Sequence, residues 1–109
     1  MAADPDARVL DQLFAVIEAR KGSPAETSYT AKLLLAGAPK IARKVGEEAV
    51  EVVVAALSER SKLAAESADL LYHLLVLWAE AGLRPEQVWA ELERRKGTSG
   101  LTEKASRGR

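Results

Sequence analysis

The sequence predicts an all-α fold, a compact helical bundle of about five helices. Three observations carry this. Apolar residues recur at three- and four-residue spacing in several separate segments. Gly, Pro and Ser punctuate the chain at the ends of those segments. No segment shows the alternating pattern of a strand, and no repeat of solenoid length is present.

In the first element, Val9, Leu10, Leu13, Phe14, Val16 and Ile17 keep helical spacing to about Lys21, after a loose lead in which Asp4 or Asp6 suits an N-cap. Gly22-Ser23-Pro24 stops it. Thr27 or Ser28 can cap a short second helix, which Gly37 closes. Pro39 fits the first turn of a third helix running to about Leu57. Gly46 lies inside that helix, at a cost of nearly ~1 kcal/mol relative to alanine. Either the helix tolerates it, or something approaches the backbone there. Ser61 is a plausible cap for a fourth helix from about Lys62 to Ala81, ended by Gly82. Pro85 opens a fifth, which Gly97 closes, and the tail from about Gly97 reads as irregular.

The 109 residues suit one domain, with 48% hydrophobic content to build a core. Sixteen basic and sixteen acidic residues balance, which argues against nucleic-acid binding through a basic excess. The balance is uneven along the chain: Arg94, Arg95, Lys96, Lys104, Arg107 and Arg109 face Glu103 alone at the C-terminal end. There is no cysteine, hence no disulfide, thiolate metal site or cysteine nucleophile. The early acids do not read as a signal peptide, and the apolar run near Leu70–Ala79 is far short of the roughly 20 residues of a membrane span. A soluble, cytoplasmic protein is expected.

The informative stretch is Lys44 to His73. Its two helical segments are apolar around most of their circumference, yet each carries acids on one narrow face. Lys44, Glu47, Glu48 and Glu51 fall in one stripe, while Ile41, Val45, Ala49, Val52, Val53 and Ala56 occupy a different side. On the next helix Glu66, Asp69 and His73 share a stripe. Two antiparallel helices joined by a short turn are neighbours, so four or five carboxylates can meet in one cleft. Uncompensated, they would repel and protonate. A hard divalent cation such as Mg²⁺, which takes oxygen ligands and binds phosphates, compensates them. The competing reading is a solvated acidic face paired with Lys40, Arg43, Lys44 or Lys62. Zinc and di-iron fit poorly, because there is one His and no Glu-x-x-His.

Lys44, one turn before Glu48, is the first choice for gripping phosphate. His73, one turn after Asp69, either braces that carboxylate, touches a phosphate or fills the core. Tyr29 and Tyr72 read as packing residues with a hydroxyl to place, and Trp78 and Trp89 as core or subunit interface. The two central helices carry apolar residues on more sides than one short domain covers, so a homodimer completing a four-helix core is expected.

Glu48-x-x-Glu51 followed by Glu66-x-x-Asp69 resembles the metal-binding pattern of the all-α nucleoside triphosphate pyrophosphohydrolases. The words SYTAKLL at 28–34, KVGEEAVE at 44–51, ESADLLYHLLVL at 66–77 and RKGTSGLTEKASR at 95–107 are similar to the phosphoribosyl-ATP pyrophosphatase family, across nearly the whole chain. The resemblance implies Mg²⁺-dependent hydrolysis of phosphoribosyl-ATP to phosphoribosyl-AMP and pyrophosphate, an early step of histidine biosynthesis, in a stand-alone and commonly dimeric enzyme. It implies Glu48, Glu51, Glu66 and Asp69 as metal ligands. Glu47 or Glu48 would then act on the attacking water, and Glu47 could instead be a ligand. Arg95, Lys96 and Lys104 would hold phosphates, with Gly97 and Gly100 offering backbone N–H groups. Tyr29 falls in a family word and could line the substrate pocket. Two rivals stay open: a house-cleaning pyrophosphohydrolase acting on other nucleoside triphosphates, and a non-catalytic helical dimerisation module.

Overall fold

The computed structural model describes residues 4–107. The first three residues of the expected lead, and Arg109 of the basic tail, lie outside the described residues. The order is α1 (Arg8–Ala19), a 3-10 turn (Ala25–Thr27), α2 (Tyr29–Ala36), α3 (Ala38–Ser58), a second 3-10 turn (Arg60–Lys62), α4 (Leu63–Ala81), α5 (Pro85–Arg95) and α6 (Gly100–Ser106). The all-α expectation holds, and no strand occurs among the described residues.

Local chemistry sets the ends. Asp6 does not occupy the N-cap of α1, which falls on Ala7, but its carboxylate accepts the Arg8 backbone N–H at 2.9 Å. It thereby takes one of the orphan donors of the first turn. Ser28 is the cap of α2: its Oγ accepts from the Ala31 N–H at 3.0 Å. Gly37 both ends α2 and starts α3, with φ of +92°, a conformation that L side chains resist. Its N–H reaches the Leu33 carbonyl, and its own carbonyl accepts from the Ile41 N–H. Ser61 is not the cap of α4. It lies inside the second 3-10 turn, and the cap position falls on Lys62, which makes no side-chain cap bond. Gly82 closes α4 in the left-handed region.

The tail departs from its expected irregularity, because Gly100–Ser106 is helical. The reason is local. The Ser99 Oγ accepts the Thr102 N–H at 3.1 Å, the side-chain bond of an N-cap. Its Ser/Thr content was therefore a start signal and not only a breaker.

The most extensive packing is between α3 and α4, and α1 and α2 cross one end of that pair. There Phe14, Ile17, Leu33, Ile41, Leu75, Val76 and Ala79 form the core, with Leu10, Leu13, Leu34, Tyr72, Leu77 and Trp78 against it. The α3 and α4 members, Ile41 and Tyr72 to Ala79, come from the start of α3 and the second half of α4 and meet Phe14 and Ile17 of α1 and Leu33 of α2. The opposite end of the pair is poorly covered. Only Ala55 is buried on the second half of α3, while Val50, Val53, Val54 and Leu57 are exposed, Leu57 at 83%. Spacing had grouped Val53 with Ile41, Val45, Ala49, Val52 and Ala56; it is exposed with Val50, Val54 and Leu57, an i, i+3, i+4, i+7 stripe.

Gly46 has open space around it: an added Cβ would meet nothing within 4 Å. Gly46→Ala should therefore raise unfolding free energy by about 0.8–1 kcal/mol in urea titration. Ile41→Ala, at a fully buried position, should lower it by about 2–5 kcal/mol.

Candidate active site

The acids lie on the poorly covered half of the α3–α4 pair. Glu48 and Glu66 are half-buried, and Glu51 and Asp69 are exposed. Glu66 reports their convergence. Partial desolvation raises its carboxyl above the ordinary range, and a hydrogen bond with Glu51 raises it further. The charges of Glu51, Asp69 and Glu48 add to the effect. Four carboxyl groups from two helices thus share one neighbourhood.

Glu47 stands apart from that group. It pairs with Lys44 at 3.5 Å, and its side chain is half exposed. The lysine pairing that the solvated-face reading expects occurs at Glu47 and Lys44. Among the described residues no group of three or more His, Cys, Asp or Glu side chains is arranged to hold a metal ion. The four acids nevertheless offer the donor type a hard cation takes, oxygen only and anionic.

His73 is buried, at 5% exposure. Its Nδ1 lies 2.7 Å from the Asp69 backbone carbonyl, and its Nε2 lies 3.3 Å from the Tyr29 hydroxyl. It fills the core with its polar atoms satisfied, and it grips the main chain of Asp69 rather than bracing the carboxylate. Tyr29 packs on Tyr72 with ring centroids 6.3 Å apart, and the Thr30 and Tyr72 hydroxyls are hydrogen-bonded. Two polar links therefore join the first turn of α2 to the middle of α4.

A scan against family descriptions matches residues 10–96 to phosphoribosyl-ATP pyrophosphohydrolase. The chain belongs to that family. It is 62% identical over 109 residues to the phosphoribosyl-ATP pyrophosphatase of Parvibaculum lavamentivorans, covering 99% of this chain and 98% of the relative. The Paramagnetospirillum magneticum protein of the same name is 60% identical, covering 95% of this chain and 96% of its own. That of Azospirillum brasilense is 59% identical, with 98% coverage of both.

The family match spans Lys44, all five acids, Arg95 and Lys96, whereas Lys104 lies beyond it. Packing does not gather these basic groups at the acids. Arg95 binds Glu91 at 3.0 Å, and Lys96 binds Glu93 at 2.8 Å. Helices α5 and α6 make only slight contact with the rest of the chain among the described residues. A contact of α5 that sequence reasoning missed is the Trp89 Nε1–H bond to Asp11 at 3.1 Å, joining α5 to α1. Trp89 also meets Trp78 edge to face at 5.9 Å.

Glu91 accepts from both Arg94, at 2.7 Å, and Arg95. The two guanidinium groups lower its carboxyl from 4.5 to about 2. The folded chain therefore keeps this charge where the unfolded chain protonates it. The resulting stabilisation is complete above pH ~4.5 and is lost as the pH falls toward ~2. It is a surface pair, so the effect is small. The melting-temperature difference between the parent and Glu91→Gln should shrink across that window.

Proposed function

We propose that this chain is a Mg²⁺-dependent phosphoribosyl-ATP pyrophosphatase. It cleaves phosphoribosyl-ATP between its α- and β-phosphates to give phosphoribosyl-AMP and pyrophosphate, in the cytoplasm, for histidine biosynthesis. Family membership supports the reaction. The convergence of Glu48, Glu51 and Asp69 on Glu66 is the observation that carries the site.

Those four carboxylates would hold the cation. When bound, it supplies charge neutralisation for the polyphosphate and makes water easier to deprotonate. Glu47, adjacent to Glu48 but outside the cluster, would orient the attacking water and accept its proton. Lys44 lies one helical turn before Glu48 and grips a phosphate, exchanging its present partner Glu47 for the substrate. Arg95, Lys96 and Lys104 hold further phosphates from the C-terminal segment. The carboxylates of Glu91 and Glu93 on α5 are what a phosphate must displace from Arg95 and Lys96.

The working form is a homodimer. The Val50, Val53, Val54 and Leu57 stripe supports this, because a contiguous exposed apolar helix face marks an interface. A second copy laid on it would complete a four-helix core and cover the open half of the α3–α4 pair.

Glu48→Ala, Glu51→Ala, Glu66→Ala and Asp69→Ala should each slow pyrophosphate release by about 100-fold or more. Each should also abolish the thermal stabilisation given by Mg²⁺ with nucleotide. Full activity in all four would end this reading, and faster release from ordinary nucleoside triphosphates would reassign the substrate. Light scattering should give about twice the 11.7 kDa chain mass. A Val53→Glu/Leu57→Glu double variant should shift it toward one chain mass, since it buries charge at the interface.

A further inference from the structure

The phosphate end of the substrate is accounted for by carboxylates and cations, but its base is not. Five aromatic residues occur in the chain. Phe14 is buried in the core. Trp78 and Trp89 pack on each other. Tyr72 is half-buried, with its hydroxyl on Thr30. Tyr29 differs: half of it is exposed, yet its orientation is fixed.

Three contacts fix it. It is the first residue of α2, whose start Ser28 caps. Its ring lies nearly parallel to Tyr72, at 25°. Its hydroxyl meets His73 Nε2. A carbonyl only accepts, so His73 Nδ1 carries the proton donated to the Asp69 carbonyl. In the neutral ring Nε2 is then an acceptor, and the Tyr29 hydroxyl donates to it. A hydrogen-bond chain thus runs from Tyr29 through buried His73 to the main chain of Asp69, one of the four convergent acids. Tyr72 and His73 also follow Asp69 by about one turn on α4, so the residues that Tyr29 contacts lie one helical turn from Asp69.

We propose that the half-exposed ring of Tyr29 is the surface on which the purine of the bound nucleotide stacks, with His73 as the positioning residue that holds it. This rests on the nucleotide reading above and assigns the base its subsite. A rigid aromatic face loses little freedom on binding, and every purine offers a π-face to it. His73 sets the spacing between the base and the phosphates, because it ties Tyr29 to the turn of α4 that carries Asp69.

The test is calorimetric binding, with Mg²⁺, of two probes: adenosine monophosphate, which carries the base, and inorganic tripolyphosphate, which does not. Tyr29→Ala should weaken adenosine monophosphate about tenfold, equivalent to ~1.4 kcal/mol, and leave tripolyphosphate unchanged. Tyr29→Phe keeps the ring but loses the hydroxyl that His73 holds, so it should weaken adenosine monophosphate by about threefold, less than alanine. In turnover, Tyr29→Ala should raise KM for phosphoribosyl-ATP about tenfold, with kcat held within about threefold. If the alanine variant does not fold, Tyr29→Leu retains the bulk without the π-face and should show the same loss. Unchanged adenosine monophosphate binding, equal weakening of both probes, a Tyr29→Phe loss as large as that of alanine, or a parent that binds no adenosine monophosphate would each overturn the proposal. Binding does not depend on turnover. A parent that binds both probes but releases no pyrophosphate from phosphoribosyl-ATP therefore fails the catalytic reading and not this one.

Discussion

Everything in this chain depends on holding α3 against α4. The two helices are joined by the short segment at Glu59 and the 3-10 turn after it, so they must lie antiparallel. Ile41, Leu75, Val76 and Ala79 lock them at one end, beneath α1 and α2. That apolar lock is what allows the other end to tolerate acids that repel one another. Carboxylates facing each other on two free helices would push them apart. Clamped at the far end, the helices keep Glu48, Glu51, Glu66 and Asp69 near one another, and burial with the neighbouring carboxylates raises the Glu66 carboxyl above its ordinary range.

Helix α3 has three faces with three tasks. One holds the acids, and one packs on α4. The third, Val50 to Leu57, is apolar and exposed. In a polar bundle helix the third face would carry charge, so this pattern is economical only if another surface covers it. The open half of the α3–α4 pair is also the half with the acids, so a second chain there would enclose the site as well as the stripe. Enclosure matters to the chemistry, because charges act more strongly on a phosphate where water is excluded.

His73 links the two halves of the site. Its ring is satisfied on both nitrogens, so it is a core residue by every local measure. It also ties α2 to the acidic turn of α4. The hydrogen-bond chain ends on the main chain of Asp69, so any displacement of the ring moves an acid-bearing turn.

Helix periodicity and glycine or proline punctuation were legible because they are local. The helix ends at Gly37 and Gly82, the Ser28 cap and the acidic stripes all follow from residues within one turn of each other. The acidic pattern was legible as well, since three-residue spacing places both acids of each pair on one face. Ser61 and the C-terminal helix were misjudged because a Ser or Thr can start a helix or break one, and only the backbone path decides which. Pairings between distant residues, such as Tyr29 with His73 and Trp89 with Asp11, could not be read from spacing. By itself the sequence determined the helices and their acidic faces, which depend on angles along one helix. The tertiary structure decided that three acids act on Glu66 while Glu47 turns to Lys44, and that Tyr29 packs on Tyr72 and His73. Those outcomes depend on which helix lies against which, and that is set by the burial of apolar side chains far apart in the chain.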